Sequence, residues 1–327
     1  MMHSLCYSHC QTMAAKIHLH DHDPLPRPRS ALERLIGLQV AKSLAFGKEN
    51  PVAYEEFSVQ RIDFARGKSG RWPSYLAMPY LLAVAGKCWK YRLRNPNEDV
   101  VWLCFPGLTG CGRQESFSII PRRIDLVPKE GVAFVFHGPA AIAGFTPEQC
   151  IRATDAVLQT VMQIVDNCPT RKKIRVFCFS AGTHLGFFVA NQLGKRFGRP
   201  IDQLVAVSPG TSIARGIFAT WVAQTLARDL EKRGISCELY DQAIRSYTQR
   251  ENLEHLPSGE QLVIHAGSAD SFIPLDRPSG TDDLVDDLRR LGKNPTYIVH
   301  PNKNHISLAL EIIIAEKCGR NPHLKQT

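Results

Sequence analysis

The chain reads as an α/β fold, with a mostly parallel central sheet, helices on both faces and a helical cap insertion. Three observations predict it. Short, wholly apolar runs such as Val100-Val-Trp-Leu-Cys-Phe105 and Val176-Phe-Cys-Phe179 have the character of strands covered on both faces. These runs alternate with stretches of helical periodicity, as successive βαβ units do. The chain is also long enough, at 327 residues with 44% hydrophobic, for one large α/β domain with a substantial core.

Residues 1–30 are rich in His, Asp and Pro, ending Asp23-Pro-Leu-Pro-Arg-Pro-Arg-Ser30, and read as a poorly ordered tail. Met13 offers an alternative start. Ser30 caps a helical pattern over Ala31–Ala41, with Glu33 placed for the first turn. Residues 50–80 support no firm assignment. Trp89, Tyr91 and Leu93 alternate as a strand over Cys88–Leu93. The turn Asn95–Asp99 leads to the strand Val100–Phe105, and Val132–Phe136 is another apolar strand. Thr146 begins a helix whose face carries Ala153, Val157, Leu158, Val161, Ile164 and Val165. The run ending at Phe179 turns sharply at Ser180 into a helix from Ala181 to about Leu193. Strands follow at Gln203–Ser208, Gln261–Ala266 and Thr296–His300. Residues 211–259 between the first two are helical and mixed. Helices are expected over Asp282–Leu291 and Ile306–Ala315. The organisation expected is a tail at 1–30, a first part of the core at 31–210, a helical cap or insertion at 211–259 and a second part of the core at 260–327.

No apolar run approaches the roughly 18 residues of a membrane span, and the first ten residues lack the basic start and apolar stretch of a secretory signal. The ten cysteines show no disulfide-scaffold spacing, which suits thiols in a reducing cytoplasm. Cys6, Cys10, His3, His9, His18, His20 and His22 lack the paired spacing of metal ligands, so no metal is expected. The net charge of +9 is uneven. Within 61–94, Arg61, Arg66, Lys68, Arg71, Lys87, Lys90, Arg92 and Arg94 face only Asp63 as a counter-charge. This is either a solvated face or an attraction for an anionic partner, such as an acidic acyl substrate, a phosphate-bearing carrier or a lipid surface. No nucleic-acid motif accompanies it.

Functional groups in an open α/β sheet gather at the carboxyl ends of strands. Ser180 follows one strand end, Asp270 lies shortly after another, and His305 follows a third, in the order Ser…Asp…His. A serine on a sharp strand-to-helix turn is held out of the sheet with its oxygen exposed. Taken alone, Ser180 equally suits a helix N-cap.

Cys178-Phe179-Ser180-Ala181-Gly182 resembles the G-x-S-x-G nucleophile elbow of the alpha/beta-hydrolase family, with cysteine replacing the first glycine. Gly267-x-x-Asp270-x-x-Ile273-Pro274 resembles the family's acid loop, and Asn304-His305-Ile-Ser-Leu its histidine loop. The resemblance covers roughly residues 88–318. It implies the alpha/beta-hydrolase fold and a serine esterase or thioesterase working without a cofactor. Ser180 would be the nucleophile, His305 its base and Asp270 the residue orienting the imidazole. The oxyanion would be held by the amides of Ala181 and Leu108. Asp276 and Asp282 are rival acids. His265 and His300 are rival bases, with His265 read as a core histidine. His137 suits either the cleft or a strand-end hydrogen bond, and Cys104, Cys111 and Cys178 read as packing residues. Ile217, Phe218 and Trp221 either cover an acyl pocket, with Phe218 and Trp221 binding substrate, or pack as ordinary core. A small-molecule acyl substrate is expected. An acyltransferase with the same three residues, or a binding protein that keeps the fold, are the alternatives.

Overall fold

The structure, a computed structural model, describes residues 55–57, 88–92, 99–105, 107, 131–136, 146–168, 172–219, 224–276, 278–305, 307–309 and 311–312. The expected tail, the helix at 31–41 and most of the basic stretch at 61–94 lie outside these residues.

The described residues form an eight-stranded sheet in the order β1-β2-β4-β3-β5-β6-β7-β8. Its strands are β1 (Glu55–Phe57), β2 (Cys88–Arg92), β3 (Val100–Phe105), β4 (Val132–Phe136), β5 (Lys173–Phe179), β6 (Gln203–Val207), β7 (Leu262–Gly267) and β8 (Thr296–His300). β1 and β2 pair antiparallel, as do β2 and β4; every pairing from β4 to β8 is parallel. β1 arises in the stretch without a sequence assignment. Three residues, two of them glutamates, are too few to show a period, so its strand character comes from pairing with β2.

Successive residues of a strand face opposite sides of a sheet, and here both sides are covered. Leu103, Phe105, Val176, Cys178, Leu204, Ala206, Leu262 and Ile264 pack with helices α1 (Pro147–Asp166) and α2 (Gly182–Phe197). Their neighbours Trp102, Cys104, Phe177, Phe179, Val205, Val207 and Val263 pack with Leu308, Ala309 and Ile312, and the described residues of 305–312 are helical. This two-sided burial is why the strands read as unbroken apolar runs.

α2 runs one turn past Leu193, to Phe197. Gly194 does not end it. A Cβ there would sit 2.3 Å from the His255 carbonyl oxygen, so the missing side chain admits a neighbouring segment. The stop is Gly198, whose φ of 64° is the left-handed conformation of a helix C-cap.

Residues 211–259 contain α3 (Ile213–Ala219), α4 (Gln224–Lys232) and α5 (Cys237–Ala243). Leu230, Tyr240, Ile244, Leu253 and Leu256 from this segment share the core cluster of α1 and α2. Asn191 of α2 donates to Asn252 Oδ1 and accepts from the His255 amide. The segment is thus sewn to the sheet's helical layer by buried apolar and polar contacts alike. After β7 comes α6 (Thr281–Arg290), one residue ahead of the expected start. Among the described residues, no helix is long and apolar enough to cross a membrane.

Candidate active site

Ser180 follows the last residue of β5 directly. Its amide donates to the Val207 carbonyl at 2.9 Å, extending the β5–β6 ladder by one bond, and the chain then reverses into α2. The reversal puts Ser180 at a φ of 52°, left-handed backbone that costs a non-glycine residue about 1–2 kcal/mol. Ala181 is the N-cap of α2 and Ser180 precedes it. The serine oxygen is not spent on capping the helix. It lies 2.7 Å from His305 Nε2 instead.

The strand-to-helix bend is tight. A Cβ on Gly186 would fall 2.5 Å from Cys178 Cβ and 2.6 Å from its Sγ. This accounts for the cysteine at the position where the resemblance expects glycine. The side chain added on the strand is accommodated by a glycine one turn into the helix. A Cβ on Gly107, just past β3, would meet the Phe179 ring at 2.9 Å and Ser180 Cβ at 3.2 Å, so the chain leaving β3 lies directly against the serine.

Asp270 comes three residues after β7. Its Oδ1 accepts from the amides of Phe272 and Ile273 at 2.8 and 2.9 Å, and its Oδ2 lies 2.7 Å from His305 Nδ1. His305 opens a helical stretch, where Asn304 and Ser307 form a reciprocal cap. Asn304 Oδ1 accepts from the Ser307 amide, and Ser307 Oγ accepts from the Asn304 amide. The acid and histidine loops are also joined to each other. Ser268 N–H donates to the His300 carbonyl and Ala269 N–H to that of Lys303, both at 3.0 Å. The His305 ring is tilted against that of Phe179, with centroids 5.0 Å apart, and meets that of Phe272 edge to face, with centroids 4.9 Å apart. Both His305 and Asp270 are buried.

Side chains 125 and 35 residues apart in sequence thus form one hydrogen-bonded chain, Ser180–His305–Asp270. The rivals have other surroundings. His265 Nδ1 meets His300 Nε2 at 2.9 Å across β7 and β8. Asp282 accepts from the Tyr297 hydroxyl at 2.6 Å, and Asp276 is exposed. Burial pushes the Cys104 and Cys178 thiols well above their ordinary range, as suits packing residues. The Ala181 amide has no hydrogen-bond acceptor among the described residues. Leu108, His137, Cys111 and Trp221 lie outside them. Ile217 is in the core, and Phe218 is partly buried against it, edge-on to Tyr240 with centroids 6.4 Å apart.

Sequence reasoning passed over Thr183, His184, Gly107, Gly186, Phe272 and Gln249. A glycine inside a helical pattern, as at 186, is a recognised sign of close backbone approach. Pro106-Gly107 marks the turn at a strand end; the others carry no local signal.

His184 is fully buried in α2. Its Nε2 lies 3.3 Å from Thr154 Oγ1, and burial pushes its pKa down from 6.5 to about 4. The folded state therefore binds fewer protons than the unfolded state between these values. The stabilisation held by neutral His184 is complete above pH 6.5 and drains away as pH falls toward 4, by up to about 3 kcal/mol. Urea unfolding at pH 7 and pH 4.5 is expected to show a larger loss for the natural chain than for His184→Gln. Equal losses would rule out His184 as the source.

No protein-family model matches the chain, and no curated protein matches it in sequence. Solved structures do match. The acylaminoacyl peptidase of Pyrococcus horikoshii superposes with a TM-score of 0.50 at 12% identity, covering 85% of this chain and 42% of its own, so this chain spans about two fifths of that protein. Carboxyl esterase 2 of the fungus Tuber melanosporum gives a TM-score of 0.46 at 17% identity, covering 72% of this chain and 79% of its own. The S-formylglutathione hydrolase of Agrobacterium tumefaciens gives 0.46 at 17%, covering 72% and 88%. At such identities the likeness is one of architecture. The architecture is that of the alpha/beta-hydrolase fold: a mostly parallel sheet, helices on both faces and a strand-to-helix elbow bearing a serine.

Proposed function

We propose that the chain is a serine hydrolase that cleaves a carboxylic ester or thioester through an acyl-enzyme on Ser180. One observation carries this reading: His305 lies within 2.7 Å of Ser180 Oγ on one ring nitrogen and 2.7 Å of Asp270 on the other. A serine hydroxyl is a weak nucleophile near neutral pH and needs a base in contact with it. As Oγ attacks the acyl carbonyl carbon, its proton passes to His305 Nε2. Asp270 keeps the Nδ1 proton in place and stabilises the imidazolium. The oxyanion takes hydrogen bonds from the Ala181 amide and, in this reading, from that of Leu108. Collapse expels the alcohol or thiol, which leaves with the proton from Nε2. Water then repeats the sequence on the acyl-serine, releasing the acid and restoring the serine.

Phe218 and Trp221 belong to this reading as substrate contacts, and residues 211–259 as a cap. The cations of 61–94 favour an anionic acyl group by charge alone. Cys104, Cys178 and Cys237 stand as thiols, which suits a reducing compartment such as the cytoplasm.

A fluorophosphonate probe tests the proposal, followed by ester and thioester panels run with and without an added alcohol or amine. Labelling at Ser180 that disappears in Ser180→Ala, together with release of free acid, is the expected result. Acyl transfer to the added acceptor in preference to water would make the chain an acyltransferase. Absence of labelling in the natural chain would end the serine-hydrolase reading.

A further inference from the structure

The strained backbone at Ser180 is held by Thr183 of α2, which a residue of the 211–259 segment contacts in turn. Besides its amide bond to Val207, Ser180 uses its carbonyl to accept twice from Thr183. The Thr183 amide donates at 2.9 Å and its hydroxyl at 2.6 Å. The Thr183 hydroxyl in turn accepts from Gln249 Nε2 at 3.2 Å. Thr183 and Gln249 are both buried.

The direction of this relay follows from proton counting. Two oxygens 2.6 Å apart need a proton between them, and a threonine hydroxyl has only one. That proton points at Ser180, so the hydroxyl faces Gln249 as an acceptor and the glutamine must present its NH2. Neighbouring bonds hold Gln249 in place. The Thr248 carbonyl accepts from Asn252 Nδ2 at 2.7 Å, and the Arg250 amide donates to the Thr211 carbonyl at 3.1 Å. Gln249 Oε1, also buried, has no partner among the described residues. Burying an amide that uses so little of its hydrogen-bonding capacity opposes folding. An apolar side chain of similar shape would serve packing better, and the contact with Thr183 is what the glutamine supplies in its place.

Resting on the hydrolase reading above, we propose that Gln249 is a positioning residue. Through the Thr183 hydroxyl it fixes the carbonyl of Ser180, and with it the left-handed turn that aims Oγ at His305. The segment 211–259 thereby sets the geometry of the nucleophile from the side of the sheet's helical layer.

The test is a double-mutant cycle on the full chain, using an ester substrate, with active sites counted by fluorophosphonate so that misfolded protein is excluded. Thr183→Val and Gln249→Leu are each expected to lower kcat per active site roughly 3- to 10-fold with KM unchanged. The pair together is expected to lose no more than Thr183→Val alone, because the glutamine acts only through the threonine. Thr183→Ser is expected to recover most of the rate lost in Thr183→Val. Gln249→Leu is expected to melt no lower than the natural chain, a combination that a purely structural glutamine would not produce. Losses that multiply, or a normal kcat per active site in both single variants, would overturn the relay and leave the hydrolase reading standing. A natural chain that takes up no probe would overturn both.

Discussion

Ser180→Gly is expected to abolish ester hydrolysis and to unfold at higher denaturant than Ser180→Ala. Both variants remove the oxygen that faces His305; in the proposed mechanism that oxygen is the nucleophile, and its loss from such a unit costs about 10⁶ in kcat. They differ in backbone. At a φ of 52° alanine keeps the steric penalty of the natural serine, whereas glycine escapes it. An alanine in place of glycine at positive φ destabilises by about 1 kcal/mol or more. Urea denaturation of the two variants, beside kcat/KM on one activated ester, reads both effects. Residual activity within tenfold of the natural chain would remove Ser180 from the chemistry. Equal stability of the two variants would show that the turn relaxes when the hydroxyl is gone.

Asp270→Asn is expected to lower kcat by about 10⁴ with little change in KM. The asparagine oxygen would keep the two amide bonds from Phe272 and Ile273, because those donors require an acceptor. That leaves its NH2 against His305 Nδ1, in the place of the carboxylate oxygen 2.7 Å away. A donor there requires Nδ1 to accept, which moves the ring proton to Nε2. The nitrogen facing Ser180 would then carry the proton it needs to receive. Pre-steady-state acylation on the ester substrate, compared between Asp270→Asn and Asp282→Asn, checks the assignment. A loss larger in Asp282→Asn than in Asp270→Asn would shift the acid role away from Asp270, though Asp282 is held by Tyr297.

Much of this arrangement is legible in the amino-acid sequence. The strands could be read because burial on both faces leaves an unbroken apolar run, and the strand ends located Ser180, Asp270 and His305 without any knowledge of contacts. What stayed hidden is specific. β1 is too short to show a period. The apolar pattern of α2 fades at Leu193, about a turn before the helix stops at Gly198. The cysteine at 178 departs from the elbow pattern, and only the packing of Gly186 against it accounts for the change. Thr183 and Gln249 are ordinary polar residues whose link spans 66 positions, and no local pattern encodes such a pair.

By itself, then, the sequence determined the strand and helix periods and the order in which the candidate catalytic side chains occur, because hydrophobic alternation and turn chemistry act between near neighbours. Only the tertiary structure decided which histidine meets the serine, which aspartate meets that histidine, and which glutamine stands behind the elbow. Those choices depend on sheet order and loop closure, which bring together residues that follow β5, β7 and β8 with one from the 211–259 segment. Hydrogen bonds discriminate over tenths of an ångström, and that separation is set by the packing of the whole chain.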